Sequence, residues 1–154
     1  MKQDAECAKQ NPEEITMIAF DLMQTFPTPV ISTGNSDEKH QLWTYVLGVH
    51  SLATNNAHMY VWNDTQASRG PQEVGSCLLH YFKNVVTKKI LYSDQCGGQK
   101  RNIKMAVLCD FIVSHPDIVV ENIDHKFLVS GHSYLVCDQV FGVISKQKVF
   151  FKDI

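Results

Sequence analysis

An α/β fold is predicted, a mixed five-stranded sheet with helices on its faces in the order β-β-β-α-β-α-β-α. Three observations predict it. An unbroken apolar run, Ile15 to Leu22, has the length and composition of a strand covered on both faces. Two further segments rich in aromatic and β-branched residues follow it before any helical period begins. From Gly70 onward, helical stripes alternate with short strand-like runs.

The elements follow in order. Residues 1–14 are polar, contain Pro12 and show no period, which reads as an N-terminal tail. ITMIAFDL (Ile15 to Leu22) is the first strand, and Phe26 to Asp37, with Pro27, Pro29, Gly34 and Asn35, reads as a loop. QLWTYVLGVHS (Gln41 to Ser51) is the second strand. Asn55-Asn56 turns the chain into the third, HMYVW (His58 to Trp62), as a hairpin. Trp43 and Trp62 fall in these strands and read as core or sheet-face residues.

Val74, Cys77, Leu78, Tyr81, Phe82 and Val85 then recur as one helical stripe, opened by Pro71 in the first turn. KILYSD (Lys89 to Asp94) is the fourth strand, closed by Cys96-Gly97-Gly98. Lys100 to His115 reads as a second helix with Ile103, Val107, Phe111 and Ile112 inward, stopped by Pro116. Ile123 to Val129 is the fifth strand. Tyr134 to Gln147 is the last helix, with Val136, Val140, Val143 and Ile144 on its apolar side. A single domain over residues 15–148 is expected, with 149–154 as a C-terminal tail.

Composition narrows the function classes. Of 154 residues, 44% are hydrophobic and 19% charged, which excludes a disordered chain. A formal net charge of −2 excludes a uniformly basic nucleic-acid binder. No apolar run approaches the ~18–20 residues that cross a bilayer, so no membrane partner is expected. Residues 1–14 hold Asp4, Glu6, Glu13 and Glu14 and no apolar h-region, so a nuclear or cytoplasmic rather than secreted setting is expected. Five unpaired-looking cysteines fit that setting as reduced thiols, with Cys77 and Cys109 read as buried and inert.

The element order resembles that of the ribonuclease H-like fold, a resemblance of pattern that carries no chemistry by itself. On it, Asp21 in the first strand and Asp94 ending the fourth are brought to one end of adjacent strands, with Asp138 near the start of the last helix. Ligands of open α/β sheets sit outside the strand carboxyl ends. Carboxylates gathered there repel one another unless a cation lies between them, and hard Mg²⁺ or Mn²⁺ takes such oxygen ligands. Aspartates also cap helices and end strands, so spacing by itself leaves both readings open. Asp110 and Asp124 are alternatives for the third member.

The local wording adds to this. Phe20-Asp21-Leu22, the run YSDQCGGQKRN from Tyr92 to Asn102, the run FLVSGHSY from Phe127 to Tyr134, and CDQVF from Cys137 to Phe141 stand in a characteristic order and spacing. Together they resemble the catalytic region of transposon-encoded DDE-type transposases common in insects and other animals, over about Met17 to Ser145. The SDxCGGQ-x-x-N and SGH-x-x-x-x-CD blocks are its specific parts.

The resemblance implies a ribonuclease H-like core in which Asp21, Asp94 and Asp138 form a catalytic, metal-binding triad. It implies two Mg²⁺ or Mn²⁺ ions and phosphodiester hydrolysis or strand transfer on DNA. No glutamate follows Asp138 in its helix, so the third member is an aspartate. His132 is expected to position the attacking water or touch the scissile phosphate. Gln99, Lys100, Arg101 and Asn102, after the Gly97-Gly98 turn, are expected nucleic-acid contacts. A plain turn and a structural histidine are the alternatives.

Transposases also need a sequence-specific DNA-binding module; none is expected in these 154 residues, which read either as a fragment of a longer element protein or as a stand-alone remnant kept by its host. A homo-oligomer is a further expectation. The competing function is a catalytically silent ribonuclease H-like domain that binds nucleic acid or protein. A cysteine- or zinc-based regulator built on Cys96, His132 and Cys137 is a third.

Overall fold

The computed structural model of the chain describes residues 6, 9–10, 15–28, 42–84, 88–93, 103–127 and 136–150. In chain order these form β1 (Ile15–Leu22), β2 (Phe26–Thr28), β3 (Leu42–Ser51), β4 (Ala57–Asn63), α1 (Pro71–Lys83), β5 (Lys88–Ser93), α2 (Ile103–Ser114), β6 (Ile123–Phe127) and α3 (Val136–Phe150). The mixed α/β class and the alternation after β4 are as expected. The sheet has six strands rather than five, because Phe26–Thr28 pairs with β3 through Phe26↔Thr44, Pro27↔Trp43 and Thr28↔Leu42. Pro27 is tolerated there because β2 pairs on one side only, so its missing N–H need not interrupt a central ladder.

β3 organises the antiparallel half. Its ladder with β4 runs from Thr44↔Asn63 to His50↔Ala57, and β1 pairs with it from Ile18↔Ser51 to Leu22↔Leu47. A strand has two edges, so β1 and β2 share the edge of β3 opposite β4. Asn55 makes the β3–β4 turn with φ of 60°, a left-handed conformation that asparagine adopts more readily than most residues. On its other side β1 runs parallel to β5, from Ile15↔Lys88 to Ala19↔Tyr92, and β5 runs parallel to β6. α2 makes the β5–β6 crossover that a parallel pair requires.

β1 is buried along nearly its whole length, as a doubly covered strand must be. Ile18, Phe20 and Leu22 pack with Leu47 and Val49 against Val74, Leu78, Phe82, Met105 and Ile112 of α1 and α2. Met17, Ala19 and Met23 pack with Val46 against Phe141 of α3, with Ile144 beside it. Full burial of a side chain such as Phe20 stabilises by about 1.5–3 kcal/mol, and this strand places such side chains on both faces.

Helix faces differ in part from the periodicity. α1 buries Val74, Leu78, Tyr81 and Phe82 as its stripe requires, and Val85 lies outside the described residues. α2 turns Met105 and Ile112 inward, with Leu108 and Cys109 half-buried. Ile103, Val107 and Phe111 are exposed, at 76%, 60% and 49%. This helix is apolar around most of its circumference, so its period could not choose a face. Packing chose it: a Cβ on Gly75 of α1 would stand 3.1 Å from Leu108 Cδ2. On α3 the buried residue is Phe141, whereas Val143 faces solvent. α3 continues to Phe150, so residues 149 and 150 belong to a helix rather than a tail.

His50 is buried on the α3 face of β3, and among the described residues its Nδ1 has no hydrogen-bond partner. Desolvation by burial pulls its pKa below 6.5. The unfolded chain therefore takes up the proton first, and stability is lost as pH falls through the unfolded value of about 6.5. The thermal midpoint is expected to drop between about pH 7 and pH 5, and His50→Leu is expected to flatten that part of the profile. An unchanged slope in His50→Leu would assign the loss to other groups.

Candidate active site

Asp21 is the one charged residue of β1, half-buried between Phe20 and Leu22. A carboxylate in that position is costly to desolvate without partners. One is local: Leu22 N–H donates to Asp21 Oδ1 at 2.8 Å. Strand alternation gives Asp21 the same parity as Met17, Ala19 and Met23, and hence the face of the sheet that α3 covers.

The ladder places Gly48 directly across from Asp21. A Cβ at Gly48 would stand 3.0 Å from both Cε1 and Cζ of Phe141 and 3.4 Å from Met59 Cε. The glycine is therefore a socket for the Phe141 ring. Asp138 lies one turn before Phe141 and is half-buried in the first turn of α3. Residues three apart share a helix face. Asp21 and Asp138 thus flank a single contact, one across the strand pair from Gly48 and the other one turn along the helix that fills it. An acidic first-turn residue also complements the helix dipole.

Asp94, His132, Gln99, Lys100, Arg101 and Asn102 lie outside the described residues. The β1–β5 ladder runs to Ala19↔Tyr92, and Asp21 and Asp94 each stand two residues further along in sequence. Among the described residues, no group of three His, Cys, Asp or Glu side chains could hold a metal ion. The two described carboxylates offer hard oxygen donors on one face, the chemistry that Mg²⁺ or Mn²⁺ accepts.

The alternative third aspartates do not converge. Asp110 is exposed on α2, which packs on the opposite face of the sheet from α3. Asp124 is exposed near the start of β6. It pairs with Ile90, which pairs with Met17, so it sits two strands over from β1 and level with Met17. Four residues of strand rise alone put it roughly 13 Å from the Asp21 row.

Cysteine chemistry finds no support among the described residues. Cys77 and Cys109 are free, half-buried thiols. Burial, followed by the nearby charge of Glu73, pushes Cys77 up to about 11, and burial also raises Cys109. Both stay protonated near neutral pH. Cys96, His132 and the side chain of Cys137 lie outside the described residues.

The loop from Asn63 to Gly70 went unnoticed in the sequence and ends close to this site. Asn63 Oδ1 accepts from the backbone N–H of Thr65 and Gln66 and from the Thr65 hydroxyl. Trp62 Nε1 donates to Ser68 O at 3.0 Å. Glu73 Oε1 accepts from Ser68 N and Oγ, and Oε2 accepts from Gly70 N at 3.1 Å. Desolvation would raise the Glu73 pKa, but these bonds and one from its own N–H outweigh it and hold the carboxyl below its ordinary value. Arg69, between the two residues that Glu73 grips, sends Nη2 to Met23 O at 3.3 Å, two residues beyond Asp21. A short Ser-Arg-Gly-Pro sequence carries no motif that would have signalled it.

The socket has a testable consequence. Gly48→Val is expected to displace the Phe141 ring and destabilise the fold by about 1–3 kcal/mol, read from urea midpoints. Phe141→Leu in the same chain is expected to recover part of that loss. Full additivity of the two substitutions would show that ring and glycine are not in contact.

Comparison with known proteins adds a family and a fold. Residues 34–149, most of the chain, match the family described as Domain of unknown function (DUF7869). No curated protein matches the chain. Among solved structures, the chain is similar to one in the cryoEM structure of simian T-cell lymphotropic virus intasome in complex with PP2A regulatory subunit B56 gamma. The identity is 10%, the TM-score 0.50, and the likeness covers 93% of this chain and 44% of that one. This chain thus spans less than half of that neighbour's length, and the likeness concerns the fold alone.

Proposed function

The chain belongs to the DUF7869 family, and we propose that it is a transposase-derived catalytic domain with a ribonuclease H-like core, which cuts or transfers DNA phosphodiesters with the help of Mg²⁺ or Mn²⁺. The observation that carries this reading is the placement of Asp21 and Asp138 on one sheet face, flanking the Gly48–Phe141 contact. The resemblance of the SDxCGGQ and SGH blocks supplies the rest. The likeness to the viral intasome structure carries no activity across.

In this reading Asp21, Asp94 and Asp138 would hold Mg²⁺ or Mn²⁺, which when bound would supply charge stabilisation for phosphodiester displacement. The fold's own contribution is rigidity. Asp21 is held in place by its strand and by the Leu22 N–H, which donates to Oδ1. Phe141, seated on Gly48, fixes the helix turn that carries Asp138. His132 orients the attacking water or the scissile phosphate, and Gln99, Lys100, Arg101 and Asn102 contact the strand. A DNA-binding module would come from a longer protein, and the setting would be nuclear or cytoplasmic. No helix among the described residues is long and apolar enough to cross a membrane.

Calorimetric titration of Mn²⁺ tests the reading. The wild type is expected to bind. Asp21→Asn, Asp94→Asn and Asp138→Asn are each expected to weaken binding by more than the roughly 10–100-fold that loss of an outer-shell partner costs. Binding lost with Asp21→Asn and Asp94→Asn but kept with Asp138→Asn would move the third ligand elsewhere. A wild type that takes no Mn²⁺, with or without DNA, would favour the catalytically silent binding domain.

A further inference from the structure

A carboxylate site that acts on DNA faces an electrostatic difficulty beyond its metal ions. The substrate is a polyanion, and the acidic cluster repels the phosphates on either side of the scissile one. A fixed cation close to the carboxyl end of β1 would offset that repulsion, and Arg69 is placed there. It is exposed, yet its backbone is bracketed: Ser68 before it and Gly70 after it are both bound to the Glu73 carboxylate. Ser68 is held again through its carbonyl by the Trp62 indole. Gly70 suits this clamp because a Cβ there would meet Glu73 Oε2 at 2.8 Å. The side chain then crosses to Met23 O at 3.3 Å. Met23 is two residues past Asp21 and one past the end of β1, within roughly 7 Å of it by the reach of the chain.

We propose that Arg69 is a phosphate-binding residue for DNA at this site, gripping a backbone phosphate that flanks the scissile one. The inference rests on the nucleic-acid reading above and extends it with a residue from the loop between β4 and α1, outside the expected contacts at 99–102. The chemistry fits. A guanidinium is permanently charged and carries five N–H donors in a planar fork suited to two phosphate oxygens. One N–H goes to Met23 O, which aims the group and leaves donors for the ligand. The ordering of the loop is already present before the ligand arrives, so little conformational entropy remains to be lost on binding. A phosphate contact of this kind carries no base information, so it strengthens binding equally for every sequence.

The test is fluorescence anisotropy with two unrelated labelled DNA duplexes, in EDTA across a series of salt concentrations, on wild type, Arg69→Gln and Arg69→Lys. Arg69→Gln is expected to weaken both duplexes alike, by about tenfold, and to reduce the slope of log K against log salt by about 0.9. Arg69→Lys keeps the charge and is expected to keep the slope while losing affinity with the fork. A purely structural strap between the loop and β1 would lower the thermal midpoint of Arg69→Gln and leave its slope at the wild-type value. That result overturns the proposal while the Mn²⁺ site stands. A wild type that binds neither duplex at low salt overturns it together with the DNA reading, and that outcome appears before any variant is compared.

Discussion

The fold depends on one strand being desolvated on both sides. β1 lies between an antiparallel neighbour, β3, and a parallel one, β5, with α1 and α2 on one face and α3 on the other. Alternation divides its residues strictly between the two cores, so a slip of one position would send Ile18, Phe20 and Leu22 to the α3 side and Asp21 into the larger core. The cost of that exchange fixes the register. The position of the Asp21 carboxylate is inherited from it, with the Leu22 N–H donating to Oδ1. A side chain gains positional precision when the scaffold beneath it cannot shift.

The second face is built more sparingly. Among the described residues α3 meets the sheet through Phe141 and Ile144, and the Phe141 ring sits where β3 has no side chain. Gly48 lets an aromatic ring descend to the backbone of β3, directly across from Asp21 on β1. Polar groups are managed differently on the α1 side, where Glu73 gathers Ser68 and Gly70 and turns an exposed loop into a defined one.

Strand and helix identities were largely legible in the sequence because each long element has a clean period or a continuous apolar run. β1, β3, β4 and α1 stand within about two residues of their expected bounds, as boundary ambiguity allows. β2 was hidden because three residues containing a proline read as loop, and only the unpaired half of a ten-residue β3 gives them a partner. The face of α2 was hidden because Ile103, Val107 and Phe111 are as apolar as Met105, Leu108 and Ile112, and only the neighbouring helix distinguishes them. Asp21 and Asp138 could be found from the strand end, the helix start and the surrounding wording. Their shared face could not, since it follows from pairing with Gly48 and from the ring of Phe141. Arg69 left no trace, because its meaning lies in a carbonyl far away in the chain.

The two halves of the sheet impose an order on folding. β3 and β4 are joined by a short turn and can pair as soon as both exist, as hairpins do within microseconds. β1 must instead find β5, Ile15 meeting Lys88, across the entire β2–β3–β4–α1 segment. Such non-local parallel pairing is paid for in loop entropy before it is rewarded, and it comes late. α3 can seat only when β1 and β3 already stand side by side, because its ring needs Gly48 and its apolar neighbours need Met17 and Ala19. On contact order, the face that carries Asp21 and Asp138 is expected to be completed after the β3–β4 hairpin. The β3–β4 hairpin and α1 precede α3 in the chain, so during synthesis both can form before that face, which needs α3 to close it.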